Sequence, residues 1–350
     1  MQRKRIHTER KDEMTYKELM AAARADMQFC SACEVCDGRA CKNHIPGPGA
    51  KGTGDTAARN YDKWKEIRLN MDTITDVTSA DTSAEIFGKR FALPVFAGPV
   101  GVVERHYGPK YTIETYNDVL IRGCVDAGIC AFTGDGNNPA VMREACLSIG
   151  RSGGQAIPTV KPWDAGTIAA KMEQVRESGA FAVAMDIDAA GLMFLRGQNP
   201  PAGAKTVGEL RKIISDAGLP FIVKGIMTAS GAKKALDAGA DAIVVSNHGG
   251  RVLEDCPATA EVLGEIAEAL GGKMKILVDG GIRSGADVFK AIALGADAVM
   301  IARPFVCAVY GGAEEGVRIY VDKLKTELED AMMMCGAKTL ADIRRDMVRI

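Results

Sequence analysis

The feature that most constrains the fold of this chain is a series of eight short apolar runs that alternate with helix-like segments. Each run is almost continuously apolar, as in parallel strands that are buried on both faces. The intervening segments, such as 164–178, 230–238 and 258–270, have helical spacing of apolar residues. The predicted strands are Leu93–Ala97, Ile129–Thr133, Gln155–Val160, Phe181–Ile187, Phe221–Lys224, Ala242–Ser246, Lys275–Val278 and Ala298–Ile301. Eight such units predict a (β/α)8 barrel, because an open doubly wound sheet usually has fewer strands.

The first ninety residues lack this alternation. Residues Met14–Phe29 have the pattern of an amphipathic helix, and a cluster of four cysteines and a Gly/Pro-rich loop over 45–55 follow it. We therefore predict two regions: an N-terminal helical, cysteine-rich cap over residues 1–90, and a (β/α)8 TIM barrel of the α/β class over residues 91–350.

Composition and charge argue against nucleic-acid and membrane partners. The chain has 44 Lys and Arg against 45 Asp and Glu, so its net charge of −1 provides no overall attraction to polyanions. The most apolar stretch, residues 91–103, contains two prolines and is too short to span a bilayer. No apolar segment follows the basic residues 1–5, so we expect no secretory signal and a cytoplasmic protein.

Polar residues follow the fifth and sixth predicted strands, at the end of a barrel where active sites lie. His248 follows the sixth strand in the run Ser246-Asn247-His248-Gly249-Gly250-Arg251. A lone histidine is more often structural, but this position beside Lys224, which ends the preceding strand, favours catalysis. Lys224 itself requires an anionic partner, because an unpaired buried ammonium group is costly.

The loops after the last two strands have the features of a phosphate site. Such a site is recurrent at this position in barrels. Gly280 and Gly281 would let the backbone approach an anion closely, and Arg283 and Arg303 can bind its oxygens. The sequence shows a single phosphate site and no sign of an adenosine site.

Taken together, these segments resemble a known family. The run 246–251, Lys224-Gly225 and the run 279–283 are similar to signatures of FMN-dependent α-hydroxy-acid oxidases and dehydrogenases, which include glycolate oxidase, lactate oxidase and mandelate dehydrogenase. The resemblance extends from Asp76 to the C-terminus and is dense over 221–311. It implies an FMN enzyme that oxidises a small 2-hydroxy acid or a related compound, with a carboxylate on the substrate.

The resemblance also implies roles for individual residues. His248 would be the general base that takes the substrate proton, and Arg251 would hold the substrate carboxylate. Lys224 would lie near the flavin N1–C2 carbonyl and stabilise the reduced ring. The other implied flavin-binding residues are Gly98, Pro99, Val100, Ser246, Asp279, Gly280, Gly281, Arg283, Ala302 and Arg303.

On the substrate side the sequence departs from the family pattern. The family's tyrosine near residues 47–51 is absent, and Pro158, Val160 and Lys161 stand where its glutamine and tyrosine are expected after the third strand. The second carboxylate-binding arginine after the fourth strand is also missing. The basic residues that could replace it are Arg196, Lys161 and Lys51. We therefore expect poor turnover of glycolate and lactate, and a larger or differently charged substrate.

The four cysteines of the cap lie outside the usual family pattern. Cys30, Cys33, Cys36 and Cys41 are spaced C-x2-C-x2-C-x4-C, which is compatible with a zinc ion or an iron–sulfur cluster. The proline and the second motif that accompany many clusters are absent. Free or redox-switching thiols are therefore an equally weighted alternative.

Two other functions are compatible with the same residues. One is a different FMN reaction on this barrel, such as that of isopentenyl-diphosphate isomerase, although that family lacks the run 246–251. The other is a flavin electron-transfer or sensor module in which the cysteines are the redox partner. We expect a homo-oligomer; the sequence specifies neither the substrate nor the electron acceptor.

Overall fold

The computed structural model of the protein describes residues 14–41, 51–199 and 201–350, without the side chain of Arg196. The strands are β1 Arg68–Leu69, β2 Ala84–Ile86, β3 Lys89–Phe91, β4 Val95–Ala97, β5 Cys130–Thr133, β6 Ala156–Val160, β7 Val183–Asp186, β8 Phe221–Ile226, β9 Ala242–Val245, β10 Lys275–Val278, β11 Ala298–Ile301 and β12 Val348–Arg349. The α-helices are α1 Tyr16–Asp26, α2 Asp55–Glu66, α3 Val103–Tyr107, α4 Ile113–Asp126, α5 Pro139–Arg151, α6 Ala165–Glu177, α7 Met193–Arg196, α8 Val207–Ala217, α9 Ala229–Ala238, α10 Thr259–Leu270, α11 Gly285–Ala293 and α12 Arg303–Met334.

Strands β4 to β11 form a closed parallel barrel, which confirms the predicted fold. The barrel closes where β11 pairs with β4, with Val299 opposite Val95 and Ile301 opposite Ala97. Each predicted strand is present within two residues of its expected ends, including β8, which continues beyond Lys224 to Ile226. The continuous apolar runs are explained by burial, since β4, β5, β6, β7, β9 and β11 are buried at every residue.

Side chains fill the barrel interior and a hairpin plugs its amino end. Phe96 and Phe132 meet edge to face inside the barrel, with their ring centroids 5.8 Å apart. Phe91 of the β2–β3 hairpin packs on Phe96 from the amino end of the barrel, with the ring centroids 5.1 Å apart. The interior is therefore a packed core, and the large cavity described below opens at the carboxyl ends of the strands.

The first helix of the cap packs on the last helix of the barrel. α1 begins with a capping box in which the Thr15 hydroxyl accepts from the Glu18 amide and Glu18 accepts from the Thr15 amide. Its Leu19 is fully buried, and a Cβ atom added at Gly311 of α12 would lie 2.3 Å from the Leu19 carbonyl oxygen. The helix backbones thus approach closely because position 311 has no side chain.

The second helix of the cap packs on the loops that follow β9 and β10. Trp64 Nε1 donates to the Gly280 carbonyl at 2.7 Å, and the side-chain amides of Asn60 and Asn247 bond to each other at 2.8 and 2.9 Å. These contacts hold the barrel end where the site lies.

The division of the chain at residue 90 stays a prediction. In the described part of the chain, no helix has the length and apolar character required to cross a membrane.

Candidate active site

A cavity of about 850 Å³ opens at the carboxyl ends of the strands, which is within the size range of ligand sites. The predicted residues that line it are Pro99, Val100, Lys224, His248, Arg251, Asp279, Gly280, Gly281, Arg283, Ala302 and Arg303. Two other predicted residues, Gly98 and Ser246, are not among the lining residues but contact them. Gly98 packs against Met300 and Ala302, and the Ser246 hydroxyl donates to Asp279 Oδ2 at 2.9 Å and accepts from the His248 amide at 3.2 Å.

His248 is held by two carboxyl groups that the sequence analysis did not single out as functional. Its Nδ1 lies 3.1 Å from Asp188 Oδ1 and 3.6 Å from Asp186 Oδ1. A carboxyl oxygen at Nδ1 favours the tautomer with the proton on Nδ1. Nε2 then carries the lone pair, on a ring that lines the cavity, which is the arrangement that a general base requires.

The anionic partner that Lys224 requires is Asp186. The two residues are opposite each other on β8 and β7, and Lys224 Nζ donates to Asp186 Oδ1 at 3.0 Å. Lys161 Nζ lies 3.3 Å from the other oxygen, Asp186 Oδ2. All three side chains are almost fully buried, so each charge depends on the others for its stability.

The surroundings give the two carboxyl groups opposite protonation states. Burial alone would raise the pKa of Asp186, but Lys224 and Lys161 hold it well below its usual value. For Asp188, burial and the neighbouring Asp186 carboxylate raise the pKa well above the usual value. These shifts favour a carboxylate at Asp186 and a neutral acid at Asp188.

The same surroundings keep His248 neutral. Burial is the largest cause, and the positive charges of Lys224, Arg251 and Lys161 add to it, so the pKa of His248 lies well below its usual value although Asp186 opposes this. Asp186, Asp188 and His248 also present three possible metal ligands within 4.8 Å of one another. The two ammonium groups on Asp186 repel a metal ion there, so the cluster is better suited to proton transfer.

Some polar atoms on the cavity wall are unpaired in the described structure. Arg303 Nη1 and Asp279 Oδ1 are buried without a hydrogen-bond partner in the described structure. Arg283 has two of its N–H groups directed to carbonyl oxygens, from Nε to Cys36 at 2.7 Å and from Nη1 to Ile282 at 2.6 Å. An unpaired buried guanidinium nitrogen and an unpaired carboxyl oxygen are costly unless a bound ligand satisfies them.

Comparison with known proteins identifies the family. The model of the family described as FMN-dependent dehydrogenase matches residues 47–199 and 163–350 of this chain. The 4-hydroxymandelate oxidase of Amycolatopsis orientalis is 33% identical over an alignment 357 residues long. This alignment covers 88% of this chain and 95% of that protein. The chain belongs to the FMN-dependent dehydrogenase family.

Other known proteins are similar to part or most of the chain. A peroxisomal (S)-2-hydroxyacid oxidase of Arabidopsis thaliana is 50% identical over 145 residues, or 41% of this chain and 39% of that protein. A solved structure of a mandelate oxidase variant with (S)-mandelic acid has a TM-score of 0.77 at 27% identity, and the match covers 96% of this chain and 97% of that one. The family favours the oxidoreductase interpretation over the isomerase and electron-transfer alternatives.

The unpaired atoms of the cavity fit the FMN cofactor of this family. A phosphate group would satisfy the free nitrogen of Arg303, and a ribityl hydroxyl would satisfy Asp279 Oδ1. Lys224 adds a buried positive charge on the cavity wall. The residues present therefore match the two polar parts of the cofactor.

The two glycines after β10 have a structural role in addition to the one predicted. Both have positive φ, 85° at Gly280 and 82° at Gly281. A Cβ atom at Gly281 would lie 2.3 Å from the Asn60 carbonyl oxygen, on the backbone of α2. Glycine is thus required there for the docking of α2 and for the left-handed turn, as well as for any approach of an anion.

The substrate side retains few of the basic groups that we considered. Lys51 donates to the Gly191 and Val252 carbonyls at 2.8 and 2.5 Å and does not line the cavity. Lys161 is bound to Asp186. The side chain of Arg196 lies outside the described structure. The structure instead brings Arg105 and His106 of α3 to the cavity wall. Sequence reasoning missed both, because α3 is a five-residue helix with no recognisable motif.

The four cap cysteines are partly exposed, and the Cys36 carbonyl accepts from Arg283 Nε. Among the described residues, the single group of potential ligands gathered within 4.8 Å is the one at His248, so the sulfurs of Cys30, Cys33, Cys36 and Cys41 are not drawn together to that distance. A zinc ion or iron–sulfur cluster at these residues stays a prediction. A further cysteine, Cys307 of α12, is buried.

Proposed function

We propose that this protein oxidises the CH–OH carbon of a 2-hydroxy acid, with His248 as the general base and FMN as the electron acceptor. The observation that supports this most strongly is the neutral, buried imidazole of His248, whose Nδ1 is occupied by a carboxyl group at 3.1 Å. The 2-hydroxy-acid class follows the printed names of the relatives, 4-hydroxymandelate oxidase and (S)-2-hydroxyacid oxidase.

In this proposal the protein binds, orients and deprotonates the substrate. Arg251, which lines the cavity beside His248, binds the carboxylate. His248 accepts the substrate proton at Nε2, and the carboxylate of Asp186 stabilises the imidazolium that results. FMN, when bound, supplies a two-electron acceptor. Lys224 remains protonated and places a positive charge where electrons are received.

The cofactor-binding residues follow from the cavity wall. We assign Arg303, Arg283, Gly280 and Gly281 to the phosphate end and Asp279 to the ribityl chain, with Ser246 positioning Asp279 rather than touching the flavin. Pro99, Val100 and Ala302 line the same cavity and complete the flavin wall.

The test of this function is anaerobic bleaching of the bound flavin by a panel of 2-hydroxy acids. We expect released FMN rather than FAD, bleaching by at least one acid, and kcat/KM for glycolate and lactate at least about tenfold below that for an acid with a bulky apolar substituent. Leu192 and Phe194 on the cavity wall can bury such a group, which contributes about 1.5–3 kcal/mol. A protein that FMN cannot reconstitute, or bound flavin that every acid leaves oxidised, would refute the function. Sub-millimolar KM values for glycolate or lactate would refute the size preference alone.

A second prediction concerns the missing arginine. We propose that Arg105, an exposed cation on the cavity wall, is the second positive charge that faces the substrate carboxylate. Arg105→Ala should raise KM about tenfold, the value of one charge-assisted hydrogen bond, and leave the flavin spectrum unchanged. Lys51→Ala is the matched control, since Lys51 is bonded to backbone carbonyls outside the cavity. Equal KM values for Arg105→Ala and the unchanged protein would remove Arg105 from the site.

The assembly and the acceptor are also proposals. Met71 and Ile74 are neighbouring large apolar residues, 70% and 98% exposed, on the segment between β1 and β2. Such exposure supports the homo-oligomer expected from the sequence. Oxygen is the acceptor that agrees with the oxidases among the relatives.

A further inference from the structure

The part of the cavity wall formed by β6 has polar groups without a full set of partners. Thr159 of β6 and Lys161, just after it, both line the cavity and are 2% and 8% exposed. The Thr159 hydroxyl is buried and makes no hydrogen bond with any described residue. Of the three N–H groups of the Lys161 ammonium, one has an acceptor in the described structure, Asp186 Oδ2 at 3.3 Å. Buried donors without acceptors are costly, so this part of the wall is suited to a ligand that supplies oxygen atoms.

Lys161 is held in place at both its backbone and its ammonium group. Its amide donates to Asp135 Oδ2 at 3.1 Å, and the same carboxyl group accepts from Trp163 Nε1 and Lys171 Nζ, each at 2.7 Å. Asp135 therefore fixes the backbone after β6, while Asp186 of β7 binds the ammonium group. The remaining N–H groups of Lys161 are thus preorganised for a ligand in the cavity.

The ammonium group of Lys161 and the imidazole of His248 lie beside the two oxygens of one carboxyl group. Lys161 Nζ is 3.3 Å from Asp186 Oδ2, and His248 Nδ1 is 3.6 Å from Asp186 Oδ1. Both residues line the cavity, so a substrate carbon within reach of His248 also lies near Lys161. Because the substrate carboxylate is assigned to Arg251 and Arg105, the acceptor left for Lys161 is the oxygen on the carbon that is oxidised.

We propose that Lys161 is a substrate-binding residue whose ammonium group donates a hydrogen bond to the C2 oxygen of the 2-hydroxy acid. This proposal rests on the proposed function, since it assigns a further contact with the same substrate. The C2 oxygen is a hydroxyl group in the acid and a keto group in the product, and both can accept a hydrogen bond from an ammonium group. Lys161 therefore recognises the reacting group itself.

The hydrogen bond from Lys161 should become stronger during the reaction. Oxidation of the C2 hydroxyl to a keto group removes two protons and two electrons from the acid. One proton passes to His248, and the electrons and the other proton pass to FMN when it is bound. Negative charge develops on the C2 oxygen as its own proton leaves, and a buried cation within hydrogen-bond distance stabilises that charge.

The experiment compares two ligands of the oxidised, FMN-loaded protein that differ only at C2. Benzoylformate has a keto oxygen at C2, and phenylacetate has no oxygen there. The dissociation constants are measured from the change in flavin absorbance on binding. The unchanged protein should bind benzoylformate at least about tenfold more tightly than phenylacetate. Lys161→Met should weaken the binding of benzoylformate about tenfold to a hundredfold and change that of phenylacetate less than about twofold.

Two further variants separate the hydrogen bond from a structural effect. Lys161→Gln keeps an N–H donor without the charge and should retain part of the preference for benzoylformate. Lys171→Met is the matched control, because Lys171 is also a buried lysine bound to a carboxyl group, Asp135, but does not line the cavity. Both methionine variants lose a buried ion pair and should lower Tm, but Lys171→Met should keep the full preference for benzoylformate.

Three results would overturn the proposal. Equal weakening of both ligands in Lys161→Met would show that the ammonium group binds the carboxylate. Unchanged binding of both ligands would remove Lys161 from the substrate, and so would an unchanged protein that binds benzoylformate no more tightly than phenylacetate. Failure of the proposed function gives a different result, in which every 2-hydroxy acid leaves the flavin oxidised while benzoylformate still binds through Lys161.

Discussion

Replacement of His248 by glutamine should slow flavin reduction by about a hundredfold or more, the usual scale for a lost general base, while FMN stays bound. The amide can keep contact with Asp188, which lies 3.1 Å from His248 Nδ1, but cannot accept the substrate proton. Stopped-flow reduction under anaerobic conditions measures the effect directly. Unchanged reduction in this variant would place the base elsewhere.

The pH profile of the unchanged protein provides a second test of the same residue. Because burial and neighbouring cations lower the pKa of His248 below its ordinary value of about 6.5, the ring should remain a competent base below that pH. The reduction rate should be level from pH 8 to below 6.5 and fall only in stronger acid. The free energy of unfolding should depend on pH in the same direction. The neutral buried ring of His248 contributes to it above pH 6.5, and this contribution is lost as the pH falls toward the pKa of His248 in the folded state.

The second large effect is expected at Asp186. Asp186→Asn would leave Lys224 and Lys161 buried without their shared carboxylate, a change that typically costs about 3–5 kcal/mol. We expect Tm to fall by about 5 °C or more, with slower flavin reduction, because the imidazolium of His248 loses its nearby negative charge. Calorimetry and stopped-flow reduction measure the two parts separately.

Asp188→Asn is the control for that change. Asp188 lies closer to His248 than Asp186 does, yet its raised pKa makes it a neutral acid, so an amide replaces it without a change of charge. Its effect on Tm should be clearly smaller than that of Asp186→Asn. Equal losses in the two variants would show that both residues are carboxylates and would require a different charge assignment at His248.

The barrel could be predicted from the sequence because its signal is local. Each strand is buried on both faces, so a run such as Ala298–Ile301 is apolar throughout regardless of what surrounds it. The position of His248 was also accessible, since a strand end followed by glycines is visible in the chain itself. Most of the residues predicted to bind the cofactor line the cavity for the same reason, since they lie at or just after strand ends.

The partners of these residues could not be predicted, because they depend on how distant segments meet. In the sequence, the segment with Asp186 and Asp188 was notable only because it lacks the family's arginine. Closure of the barrel places both carboxyl groups beside His248. The docking of Trp64 on Gly280 and the hydrogen bond from Arg283 to the Cys36 carbonyl depend on long-range packing in the same way. Periodicity carries no information about such pairs.

The contact between α2 and the turn after β10 affects how this barrel can be engineered. Gly281 accommodates the Asn60 backbone, and Trp64 binds the carbonyl of Gly280, so part of the phosphate loop is built from outside the barrel. A chimera that joins residues 91–350 to a foreign N-terminal segment would keep all eight barrel strands but lose these supports. Transplantable units of this fold should therefore be cut before α2, at or upstream of Asp55, rather than at the first barrel strand.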